Sequence, residues 1–471
     1  MADKVVGGPQ PPKRLAWSDL EVWSLGFLWR DPVGSVSRAV LSLVLGIWCL
    51  FPASSFGEEA LLGDAEERII HYESPDGLSD PVARLQKRLA DGTARLSFEH
   101  GRGYLPALLK ALKVPVSSQA LVFSKTSSQR DQTGPLTPRA IYFGDDISIG
   151  WVPGGPVIDL ASVDPNRGPI FYTLEQKADT PPQFTRHTDC MRCHFGPKTL
   201  DVPGLVVGSF YTASNGMPLA KVDGFVNGHN SPLSERWGGW YVTGHSRDTH
   251  LGNLFASDPE HPERVDLSTA VSSRGVTDLR TRFDTSRYLS RHSDLVALLV
   301  LEHQVRMQNL ITRANYQTRY ALNQQPENIG TPAQREIAAE WRRQRIALAG
   351  EGLLEYLLCR DEAPLHGPVK GTSDFAREFQ RRGPRASRGR SLQQLDLQTR
   401  LCRYPCSFLI YSSAFDALPK EMKAYLWRRL EQILTGQDQS ATYATLTAGD
   451  RQDVLDILRE TKPEFAAWLR K

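Results

Sequence analysis

The strongest constraint in the sequence is five residues long: Cys190-Met191-Arg192-Cys193-His194. Two cysteines three positions apart, with a histidine directly after the second, form the C-x-x-C-H pattern of covalent haem c attachment. The spacing has a physical reason. On one turn of chain, thiols at i and i+3 lie on one side, so each can form a thioether with one vinyl group of a single porphyrin. The adjacent imidazole is then held beneath the iron as its proximal ligand. The pattern occurs once in the chain, which excludes a multihaem wire and a di-haem peroxidase built on two covalent haems. Two other chemistries use paired cysteines. A redox dithiol usually sits on a thioredoxin-like βαβ unit, and none is visible here. A zinc-binding structural protein is the other alternative, its site completed by the C-x3-C pair Cys402-Arg-Tyr-Pro-Cys406.

Haem c is assembled outside the cytoplasm, so the motif calls for an export signal. Residues 1–57 supply one. Ala39 to Phe51 is an apolar run with Arg38 ahead of it and the small-residue exit Pro52-Ala53-Ser54-Ser55-Phe56-Gly57 behind it. A basic flank, a short apolar core and small residues describe a secretory signal peptide, with cleavage expected before Glu58 or Phe56. The 38 residues before the run are long for such a signal, and point to an initiation site at Val33 or Val36. The expected location is periplasmic. No uncharged apolar run reaches the roughly 18 to 20 residues of a membrane-spanning helix, so no stable span is expected after cleavage. A net charge of +3 over 471 residues lacks the basic excess of a nucleic-acid binder, and nucleic acid is excluded as a partner.

The rest of the chain divides by pattern, and the expected class is α+β. Residues 58–180 are mixed and strand-rich. Asp80-Pro81 opens a short helix that Gly92 stops. Short β-branched and aromatic runs follow at Ala120–Phe123, Arg139–Phe143, Ile147–Val152, Val157–Ala161 and Ile170–Leu174. Gly, Pro, Asp and Asn clusters separate them, predicting an antiparallel meander. Residues 181–280 are rich in Gly, Pro, Ser and His with little periodicity, a segment that a prosthetic group would organise. Residues 281–471 are mainly helical. Over Asp294–Asn323, Leu295, Leu299, His303, Met307, Leu310 and Ala314 recur every three or four positions and share one face. Thr331-Pro332 starts a second helix, two more are expected near Pro419–Leu434 and Asp450–Thr461, and the basic stretch 364–391 is expected to be a long loop.

The sixth position of the iron decides function: a strong ligand favours electron transfer, an open site favours small-molecule chemistry. The candidates are His229, His245, His250, Met217 and His303. Met217 lies in a Gly-Met-Pro turn that presents a thioether or is simply a surface residue. His229, His245 and His250 lie in a segment rich in aromatics and arginine, where Trp237 and Trp240 pack on a porphyrin or anchor a core, and Arg236 or Arg247 is a candidate partner for a propionate. His303 sits on the apolar helix face, where a hydrogen-bonded core histidine is the commoner outcome. The expectation falls on a histidine of the 229–250 segment. After haem attachment and signal loss, Cys359, Cys402 and Cys406 are left. Either Cys402 and Cys406 form a disulfide, or all three are buried thiols.

Beyond the motif, the chain resembles a family of exported bacterial proteins that carry a cytochrome c domain. The resembling stretches are Ala120–Ser124, Pro138–Trp151, Phe171–Leu174, the C-x-x-C-H, Glu235–Gly244 (ERWGGWYVTG) and Arg403–Cys406. They run across most of the mature chain. The resemblance implies a periplasmic protein with one haem c at Cys190, Cys193 and His194, and implies no particular substrate. Met217 does not belong to the shared pattern. The leading expectation is a mono-haem c-type cytochrome of periplasmic electron transfer, docking with a redox partner protein. The alternatives are a haem enzyme, peroxidase- or oxidase-like, and a haem-based sensor. In the enzyme, an open or displaceable sixth position would be served by His245, His250 or His303 as acid–base group and by Arg236 as charge stabiliser.

Overall fold

Short β-branched runs pair antiparallel at the centre of the molecule. The computed structural model describes residues 63–219, 224–256, 275–323 and 330–470; the expected signal region 1–57 lies outside them. Helices α1 (Asp64–Ile70), α2 (Pro81–Ala90) and α3 (Leu105–Leu112) come first. α2 begins where Asp80-Pro81 predicts, with Asp80 Oδ1 accepting from the Val82 and Ala83 N–H groups. The strands β1 (Ala120–Val122), β2 (Arg139–Gly144), β3 (Ile147–Trp151), β4 (Val157–Asp164), β5 (Gly168–Glu175) and β6 (Phe184–Arg186) follow. A separate pair, β7 (Val207–Ser209) and β8 (Phe225–Asn227), precedes β9 (Trp240–Tyr241). The seven-stranded sheet runs in the order β6-β5-β4-β3-β2-β1-β9, every neighbouring pair antiparallel.

Alternation along the strands gives the sheet two apolar faces. Leu121, Tyr142, Ile149, Leu160 and Leu174 join Leu85, Leu105 and Leu108 of α2 and α3 in one core. Ala120, Val122, Phe143 and Val163, one residue out of phase, join the later helices in another. A two-residue pair, β10 (Gly244–His245) with β11 (Lys370–Gly371), ties the chain after β9 to the helical part. The fold is α+β, with all described residues in one compact unit.

Among the described residues the remaining α-helices are α4 (Met191–His194), α5 (Leu295–Asn323), α6 (Pro332–Leu357), α7 (Phe375–Arg381), α8 (Ser413–Asp416), α9 (Lys420–Leu434), α10 (Ala448–Thr461) and α11 (Pro463–Trp468). α5 departs from the one-faced helix its periodicity predicts. It is buried over most of its circumference, Glu302, His303, Gln304, Gln308 and Asn309 included, with Arg306, Arg313 and Gln317 half-buried along one stripe. Polar groups so placed must be bonded. Gln304 and Gln308 donate to the carbonyls of Gly144 and Asp145 in the β2–β3 turn. Asp294 caps the helix start, accepting from Val296 and Ala297 N–H. The helix approaches the β4–β5 turn closely at Gly168: with φ +74° and a Cβ position 2.6 Å from the Thr312 methyl, only glycine fits.

The stretch 364–391, expected as a loop, contains α7. Phe375 and Phe379, four residues apart on one helical face, are buried against Phe143 and Phe408. Two aromatic anchors at helical spacing outweigh the basic, Gly-rich composition around them.

Candidate functional site

Cys190 to His194 occupies the single turn α4 immediately after β6. Cys193 N–H and His194 N–H both donate to the Cys190 carbonyl, so the two thiols are neighbours on that turn. Met191, fully buried, anchors it. The approach is fixed by β5: His187 N–H donates to the Phe171 carbonyl, and His187 Nε2 pairs with Thr173 Oγ1 at 2.8 Å. Both cysteines are free thiols. Cys193 is exposed and Cys190 half-buried. Burial raises the Cys190 thiol pKa, with Asp159 and Asp189 adding to the effect.

His194 is oriented by a returning loop. Residues 195–204 turn through Gly196, Leu200 and Asp201, all at positive φ, and come back to the helix. Gly204 N–H donates to the His194 carbonyl at 2.9 Å, and His194 Nδ1 lies 3.0 Å from the Gly204 carbonyl oxygen. A carbonyl only accepts, so Nδ1 carries the proton and Nε2 keeps its lone pair. Nε2 makes no hydrogen bond among the described residues. The ring packs on Phe171 of β5, centroids 4.7 Å apart. Burial lowers the His194 pKa and keeps the imidazole neutral; Gly204 and Asp159 oppose the shift, Arg139 adds to it. Arg139 and Asp159 are themselves an ion pair at 2.8 Å. Beside it, Gln129 Oε1 and Arg139 Nε are buried with no partner among the described residues.

These observations test the fit of haem c. Two free thiols on one turn, one reachable from solvent, and a neutral imidazole with one nitrogen clasped and the other bare are the donor set that covalent haem requires.

The sixth-ligand candidates fall in different places. His229 and His303 meet each other, Nδ1 to Nδ1 at 3.0 Å, in the helical core. His229 Nε2 donates to the Arg360 carbonyl. Its Nδ1 therefore accepts from His303 Nδ1–H, and His303 Nε2 accepts from the Ser407 hydroxyl at 2.7 Å. All four ring nitrogens are occupied, so neither histidine has one left for a metal. Desolvation drives His229 well below the ordinary imidazole range and takes His303 down to about 4. Tyr356 stacks on His229 at 3.7 Å. Met217 is half-exposed in its turn, and the Gly216 carbonyl there accepts from Lys125 N–H, just past β1. His250 is buried, its ring edge on Trp237 and its Nδ1 accepting from Gly252 N–H. His245 is exposed on β10 and lines an open cavity of about 450 Å³ with Arg280, Arg291, His292 and Lys370.

Arg236, expected at a propionate or a developing charge, is instead sealed in the helical core with Glu302, at 2.9 Å. Asn227 donates to the other Glu302 oxygen. Burial pushes the Glu302 carboxyl up to about 7 against the pull of Arg236. Arg247 lies against Gly367. The cysteine pairs are likewise apart. Cys402 and Cys406 are buried free thiols in the helical core, whereas Cys190 packs against the other core. A zinc site built from both pairs is not formed, and among the described residues no three His, Cys, Asp or Glu side chains converge as a metal ion requires.

Sequence reasoning missed Asn309. It is buried on α5, and its carboxamide holds the Leu205 backbone in both directions: Leu205 N–H donates to Oδ1 at 3.1 Å, and Nδ2 donates to the Leu205 carbonyl at 2.7 Å. The sequence gives no signal that separates Asn309 from the other polar residues of the helix, Gln304 and Gln308 among them. Comparison with protein-family models, with curated proteins and with solved structures finds no match.

Proposed function

We propose that the chain is an exported mono-haem c-type cytochrome of periplasmic electron transfer, its porphyrin joined at Cys190 and Cys193 and its iron held by His194 Nε2. The observation that carries this reading is the clasp on His194, which fixes the tautomer and leaves Nε2 bare. Haem bound there supplies a one-electron iron couple. The chain's own part is positional and electrostatic. The Gly204 carbonyl accepts the hydrogen bond from Nδ1–H, which orients the ring and raises its basicity as a ligand. Phe171 covers one side of the ring, and burial favours its neutral form. The exposed side of α4 at Cys193 leaves an edge of the site open to a redox partner protein.

A haem enzyme with an open or displaceable sixth position is the second reading. It is favoured by one observation: His229 and His303, two of the five sixth-ligand candidates, have no free ring nitrogen.

Maturation in a host with a haem-ligation system tests both readings. The expected product carries the mass of one haem, stains for haem on a denaturing gel, and loses it in Cys190→Ser/Cys193→Ser. A low-spin spectrum indifferent to carbon monoxide supports electron transfer. A high-spin ferric spectrum with rapid carbon monoxide or cyanide binding supports the enzyme. The bare polypeptide mass overturns both.

A further inference from the structure

We infer that Asn309 is a positioning residue for His194, acting through the peptide unit between Gly204 and Leu205. The inference rests on His194 being an iron ligand.

A peptide unit is planar and rigid, with its C=O and N–H pointing in opposite directions. The Gly204–Leu205 unit offers its oxygen to His194 Nδ1 at 3.0 Å and its N–H to Asn309 Oδ1 at 3.1 Å. One resonance-coupled amide therefore stands between the α5 carboxamide and the proximal imidazole. Acceptance at the N–H end polarises the amide and makes its oxygen the better acceptor, so the two hydrogen bonds strengthen each other. The second bond, Nδ2 to the Leu205 carbonyl at 2.7 Å, stops the unit from rotating about the first. Packing agrees with this. A Cβ at Gly204 would stand 2.5 Å from Asn309 Oδ1 and 2.9 Å from Thr199 Cβ, so the loop is pressed against Asn309 and admits no side chain. Asn309 is only 1% exposed. A stronger hydrogen bond at Nδ1 makes the imidazole a more basic ligand, and that stabilises the oxidised iron.

The test uses the full-length, haem-loaded protein. Asn309→Leu removes both bonds at similar volume; Asn309→Asp keeps an acceptor for Leu205 N–H. The readouts are the reduction potential and the Nδ1 proton resonance of His194 in the reduced protein. Asn309→Leu should retain covalent haem, raise the potential and move the Nδ1 resonance upfield. Asn309→Asp should move both less. Unchanged readouts in both variants, or equal shifts in the two, overturn the role. Asn309→Ser, whose hydroxyl is too short to reach Leu205, takes the place of Asn309→Leu if that variant does not fold. Wild-type protein that takes up no haem overturns the underlying reading instead.

Discussion

His194 and the His229–His303 pair are the same side chain under opposite accounting. At α4 one ring nitrogen is engaged and one is bare, on a half-buried turn. In the helical core every ring nitrogen has a partner, and both rings are sealed. The cysteines divide in the same way: exposed Cys193 against buried Cys402 and Cys406. The turn at His194 leaves one ring nitrogen unused, whereas the His229–His303 pair uses all four of its own.

Thiol labelling gives the widest separation between the two regions. In the haem-free chain Cys193 should react at the rate of an open thiol. Cys402 and Cys406 should react only through unfolding, slower by about 10³-fold or more. Burial also raises both of their pKa values, Cys406 to about 12. Mass spectrometry of timed alkylation checks this, and equal rates would erase the distinction.

Stability is the next contrast. Glu302→Ala leaves Arg236 charged and buried without its partner, and should cost about 3–5 kcal/mol in denaturant unfolding. His194→Ala removes one hydrogen bond at a half-buried position and should cost about 1 kcal/mol in the chain without haem, and on the proposed reading it also removes the iron ligand.

The smallest effect is a pH dependence. His303 titrates near 4 in the folded protein, below the usual 6.5. Its neutral form is favoured by folding, so its contribution is present above pH 6.5 and is lost as pH falls towards 4. Glu302, raised to about 7, works the other way: its contribution is present below 4.5 and is lost as pH rises through 7. In the overlap the two oppose each other, and total stability hides both. The cost of His303→Asn isolates the histidine. It should shrink as pH is lowered from 6.5 to 4, by at most about 3 kcal/mol. A cost independent of pH would mean that His303 titrates normally and is not the sealed residue described.

The same contrast explains what was legible in the sequence. The strands were, because β-branched runs between breakers carry their pairing locally: Arg139–Gly144 and Ile147–Trp151 form where the pattern puts them. The α5 start was, because Asp294 marks it ahead of a long apolar rhythm. α3 was missed although Leu105–Leu112 is strongly apolar, since eight residues give too short a period. The site was half legible. Cys190, Cys193 and His194 lie within five residues, so spacing alone suggests their chemistry. The His229–His303 bond joins positions 74 apart, and Asn309 reaches a loop 104 residues away. No local pattern carries such information, and a histidine on an apolar stripe reads the same whether its nitrogens are engaged or bare.

α5 is a key cut for two locks. Its middle turns hold the loop behind His194 through Asn309, while Glu302 and His303, one to two turns earlier, grip Arg236 and His229. Sliding the rod by a single turn would break the teeth at both ends together. The sheet side and the helical side thereby share one rod.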